Sequence, residues 1–88
     1  MTFRLAAHTV ATDTHDGAVL LCQRTGHYWQ LNATGAYALQ RLLAGRTTSQ
    51  VAEEFATHFG VTQAQAQEDI RAMTERLQES GLVEPAVA

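Results

Sequence analysis

The groups in this chain that could bind a metal or attack a substrate are four histidines, one cysteine and nine carboxylates. His8, His15, His27 and His58 are scattered, and none stands at the four-residue helical spacing from a second His or a Cys. A zinc-type site is therefore not expected. Cys22 closes the run Leu20-Leu21-Cys22, a setting that more often buries an inert thiol than activates a nucleophile. The glycines stand singly at turns and helix ends, so none builds a phosphate-cradling loop. No catalytic residue, metal or cofactor is assigned, and the chain is not expected to be an enzyme.

Recognition chemistry is better supported. Gly26-His27-Tyr28-Trp29-Gln30-Leu31-Asn32-Ala33-Thr34-Gly35 gathers Tyr28 and the single Trp on one short segment. In an extended strand Trp29 and Leu31 share one face, and Tyr28 and Gln30 the other. If this strand is a sheet edge, its unpaired N–H and C=O groups can accept a foreign peptide as a further strand. A helix lying beside it would turn the edge into a cleft, and Ile70, Met73 and Leu77 are spaced to line the far wall. Such a stripe more often serves a core, with its edge left to meet a ligand. Met73 fits both roles, because a flexible thioether adapts to foreign side chains.

These residues need a scaffold, and the sequence outlines one. Leu5–Thr12 is rich in β-branched residues and reads as a strand, followed by the turn cluster Asp13-Thr14-His15-Asp16-Gly17. Ala18–Gln23 is an apolar run of strand length, and Thr25-Gly26 closes a hairpin into a third strand, His27–Leu31. Asn32 then caps a helix with Ala36, Tyr37, Leu39, Leu42 and Leu43 on one side, ended by Gly45. Thr47-Thr48-Ser49-Gln50 is a capping box for a second helix, whose stripe is Val51, Ala52, Phe55, Ala56 and Phe59. Thr62-Gln63-Ala64-Gln65 repeats the box and opens the longest helix, to about Ser80, with Ala66, Ile70, Met73 and Leu77 as its stripe. Gly81 stops it, Leu82 and Val83 are free to pack back, and Pro85 prevents a restart. Strands followed by helices predict an α+β domain: a three-stranded antiparallel sheet with three helices on one face. One domain over residues 1–84 with a short flexible tail at 85–88 accounts for the length.

Composition removes several functions. A hydrophobic fraction of 45% suits a globular fold. No apolar run is long enough for a membrane span, and Met1-Thr2-Phe3-Arg4-Leu5 lacks a signal pattern. A cytoplasmic location is expected. Net charge is −3, and every Lys/Arg cation is an Arg. Three helices beside a small sheet also describe a winged-helix DNA-binding regulator, but the third helix sets Glu68, Asp69, Glu75 and Glu79 against Arg71 and Arg76. That balance repels phosphate.

The set Gly17–Leu21, Thr25–Gly35, Leu42–Gly45 and Ile70-x-x-Met73-x-x-x-Leu77-x-x-x-Gly81-Leu82-Val83 resembles PqqD-type domains, over about residues 8–83. Such domains are recognition elements for ribosomally made, modified peptides, and the wording around Trp29 looks most like the stand-alone version of lasso peptide biosynthesis. The resemblance implies a winged helix-turn-helix-like fold that holds a precursor's leader peptide as an added strand between third strand and third helix. The leader-bound precursor would then be presented to a separate leader peptidase, with a cyclase acting afterwards. Carried over by position, the strand wall would be Tyr28, Trp29, Gln30 and Leu31, and the helix wall Asp69, Ile70, Met73, Thr74 and Leu77. Arg71 or Arg76 would be available for leader carboxylates. A partner of a radical SAM peptide-modifying enzyme is the alternative within the same fold.

Overall fold

The computed structural model describes residues 2–86, in the order β1 (Thr2–Leu5), β2 (Thr9–Thr14), β3 (Gly17–Cys22), β4 (Tyr28–Asn32), α1 (Ala33–Leu43), α2 (Thr48–Phe59), α3 (Gln63–Glu79) and β5 (Val83–Ala86). β2, β3 and β4 form an antiparallel sheet in that spatial order. This is the predicted three-stranded sheet followed by three helices.

Local chemistry places the helices. Asn32 Oδ1 accepts from the Gly35 N–H at 2.9 Å and opens α1. At α2 the Thr47 hydroxyl accepts from Gln50 N–H while the Gln50 side chain accepts from Thr47 N–H, a complete capping box. At α3 only half of the expected box forms. Thr62 accepts from Gln65 N–H, but the Gln65 side chain runs forward and donates to Asp69 Oδ1 at 2.8 Å. A carboxylate one turn ahead is a stronger acceptor than anything at the cap.

The core lies between the inner face of the three-stranded sheet and the helices. Leu20 and Leu31 from the sheet meet Leu39 and Leu42 of α1, Val51 and Phe55 of α2, and Ile70 and Leu77 of α3. Leu20, Leu42, Val51 and Leu77 are completely buried, and each such side chain stabilises the fold by about 1.5–3 kcal/mol.

The predicted first strand, Leu5–Thr12, is two strands. The chain turns at residues 6–8, where His8 adopts a left-handed φ of 65° and Thr9 N–H donates to the Ala6 carbonyl. β1 leaves the main sheet and pairs antiparallel with β5, Phe3 opposite Pro85 and Leu5 opposite Val83. Phe3, Leu82 and Val83 are thereby buried. The predicted tail is corrected for the same reason: Pro85 and Ala86 belong to β5, while residues 87 and 88 lie outside the described residues. A two-stranded sheet consists only of edge strands, the setting in which Pro fits a ladder. Among the described residues no helix is long and apolar enough to cross a membrane.

Candidate functional site

The β3–β4 hairpin fixes the geometry of the aromatic strand. Gly26 takes φ 77° at its tip, and the Cys22 N–H donates to the His27 carbonyl at 2.8 Å. The register continues as Leu21 opposite Tyr28, Leu20 opposite Trp29, Val19 opposite Gln30 and Ala18 opposite Leu31. Antiparallel pairs alternate between bonded and non-bonded. Counting from Cys22–His27, the backbone groups of Trp29 and Leu31 point at β3, and those of Tyr28 and Gln30 point away from it. Within the three-stranded sheet β4 is an edge with β3 as its only strand partner, so the outward groups of Tyr28 and Gln30 have no ladder.

A groove of about 380 Å³ lies beside this edge. Trp29, Gln30 and Leu31 form its strand wall, and Asp69, Ile70, Ala72, Met73 and Arg76 of α3 the opposite wall. Asn32, Thr34, Gly35 and Ala38 contribute from the start of α1, and Phe55 from α2. Trp29 and Met73 are half-buried against the core, and Ile70 is buried beneath them. The groove thus has an apolar centre, with Asp69 and Arg76 at different levels of its helix wall.

Six of the nine residues expected to form the two walls come together here: Trp29, Gln30, Leu31, Asp69, Ile70 and Met73. Three do not. Tyr28 is 65% exposed and alternates to the sheet face opposite Trp29. Leu77 is fully buried in the core. Thr74 is buried on the other flank of α3, where its hydroxyl donates to the Arg71 carbonyl at 3.0 Å and Phe3 and Glu75 are neighbours. Arg71 also belongs to that flank, bonded to Glu68 and Glu75; those carboxylates hold its guanidinium more firmly protonated than usual. The residues from α1 and α2 that line the groove went unmarked in the sequence, since Gly35, Ala38 and Phe55 carry only helix-packing signals.

Cys22 is half-buried and outside the groove. The Thr25 hydroxyl beside it lowers its thiol pKa, helped by backbone N–H groups of Thr25 and Arg24. Among the described residues no three His, Cys, Asp or Glu side chains gather where a metal ion could sit.

An open-edged strand facing a helix across a groove of mixed polar and apolar lining defines a small α+β domain suited to accept an extended chain. The protein belongs to the PqqD family: the family described as Coenzyme PQQ synthesis protein D (PqqD) matches residues 17–83. The structure is similar to "Lasso peptide synthetase B1 complexed with the leader peptide", with TM-score 0.90 and 39% identity over 97% of this chain and 100% of that one. It also shares the fold of "TbiB1 in Complex with the TbiA(beta) Leader Peptide", with TM-score 0.86 and 22% identity over 97% of this chain and 99% of that one. No curated protein matches the chain.

Proposed function

We propose that this protein captures the leader of a ribosomally made precursor peptide as an added strand between β4 and α3. It then delivers the precursor to a separate leader peptidase in the cytoplasm, with a cyclase completing a lasso peptide. The protein itself makes and breaks no covalent bond in this scheme. The scaffold is read as winged helix-turn-helix-like, with α3 facing a peptide instead of phosphate.

The observation that carries this reading is the position of β4: a sheet edge with unpaired backbone at Tyr28 and Gln30, opening beside a groove walled by Met73 and Ile70. Main-chain bonds to those two residues would hold a peptide in register, and its inward side chains would enter the apolar centre. The 39%-identical relative was solved with a leader peptide, which supports the same class of ligand here.

A titration of the full chain with the synthetic leader peptide of that relative, followed by Trp29 fluorescence, tests the reading. A saturable change is expected. Met73→Glu, which puts a charge against the groove's apolar centre, should weaken binding by at least about tenfold. His58→Ala should not, because His58 stacks on Tyr37 elsewhere on the surface. A Met73→Glu loss no greater than that of His58→Ala would sink the proposal. Delivery is tested separately, as faster cleavage of the precursor by its peptidase when this protein is added.

A further inference from the structure

The chain's Lys/Arg cations are six arginines, and their partners divide them. Arg4 is paired with Glu84, Arg41 and Arg46 share Glu54, and Arg71 holds Glu68 and Glu75. Arg24 bonds His8 at 3.0 Å. Arg76 meets no carboxylate within salt-bridge distance among the described residues.

Helical spacing explains the difference. Arg71 has Glu68 three residues before it and Glu75 four after, the positions from which side chains meet. Around Arg76 the corresponding places hold Ala72, Met73 and Ser80, and Glu79 makes no pair with it. Arg76 is also the arginine that lines the groove. Asp69 lines the same wall seven residues earlier, its carboxylate accepting from Gln65. That separation is roughly 10 Å along the helix, about three residues of extended chain.

We propose, resting on the strand-capture reading above, that Arg76 is the specificity-determining residue of the groove. It pairs with an Asp or Glu side chain of the leader and so sets which stretch of the leader lies against α3. The helix carries two arginines against four carboxylates, a net of −2, and Arg71 is neutralised on the far flank. A leader carboxylate is therefore repelled near Asp69 and attracted at Arg76. One attractive point and one repulsive point fix a register that main-chain bonds, which repeat along any strand, leave open. The guanidinium also matches a carboxylate with two parallel N–H donors.

The test uses the full chain and a fluorescein-labelled leader peptide of the 39%-identical synthetase, together with variants in which each Asp or Glu is replaced by Asn or Gln. Anisotropy is read at low and high salt. Arg76→Gln should weaken binding roughly five- to twentyfold at low salt, with the difference shrinking at high salt. One peptide variant should lose the same factor and lose nothing further against Arg76→Gln. Arg71→Gln should change affinity less than about twofold, as for an exposed pair outside the contact. Circular dichroism should be unchanged for both protein variants, since both side chains are exposed. A peptide that saturates the wild-type chain yet binds Arg76→Gln equally well, or shows no carboxylate coupled to it, overturns this proposal and leaves strand capture standing. A peptide that never binds the wild-type chain removes both.

Discussion

Gly17 is the residue on which the spacing of the aromatic strand depends. A Cβ built there would lie 1.9 Å from the Leu31 carbonyl oxygen, a backbone atom that cannot step aside without moving β4. Ala in place of Gly ordinarily helps a strand by about 0.5–1 kcal/mol, but a clash of this size should dominate. Gly17→Ala is expected to cost about 1–3 kcal/mol in urea unfolding, and an unchanged midpoint would show that the two strands separate freely. At the same scale, residue chemistry explains which site positions were legible. The periodicity that marks Ile70 and Met73 also marks Leu77, yet Met73 and Leu77, four residues apart on α3, differ by roughly 40° around the helix, which leaves Leu77 in the core and Met73 at the groove. Thr74 takes a buried place because its hydroxyl bonds back to the Arg71 carbonyl, and no apolar pattern announces such a residue.

Among elements, β4 makes the sharpest statement about dynamics. Its backbone alternates between groups spent on β3 and groups facing outward. In amide hydrogen exchange of the free chain, Trp29 and Leu31 should be protected and Tyr28 and Gln30 should exchange rapidly. Bound leader should slow Tyr28 and Gln30 selectively; protection that is already uniform without peptide would mean the outer edge is closed. The helix starts were legible because each rests on a local side-chain acceptor for a first-turn N–H, at Asn32, Thr47 or Thr62. The β1–β5 pair was not. Its two strands are four residues each and meet across nearly the whole chain, so neither has a neighbour in sequence to reveal it. Pro85, read locally, is a stop signal, and only the partner strand makes it part of a sheet.

For the molecule as a whole, this small pair of strands closes one side of the core. Phe3 is 5% exposed and packs in the same cluster as Leu82, Val83 and Ile70. Phe3→Ala should cost about 3–5 kcal/mol, a large share of the roughly 5–15 kcal/mol that holds a typical domain together. Thermal and urea unfolding measure this directly, and a loss below about 1 kcal/mol would show that β1 is dispensable. Phe3 does not line the groove beside β4, so peptide affinity of the folded fraction should be retained. The fold class was readable because the three strands of the main sheet all precede the three helices. The groove was readable only as two facing walls, because α1 and α2 enter it through packing angles that no single segment encodes.

Thr2 lies opposite Ala86 in the β1–β5 ladder, so the first and last described residues sit side by side, and neither strand supplies a groove-lining group. A host polypeptide could therefore receive this module in a surface loop, entering and leaving at one corner. A circular permutant joining 86 to 2 through a brief linker would likewise keep the reading surface whole.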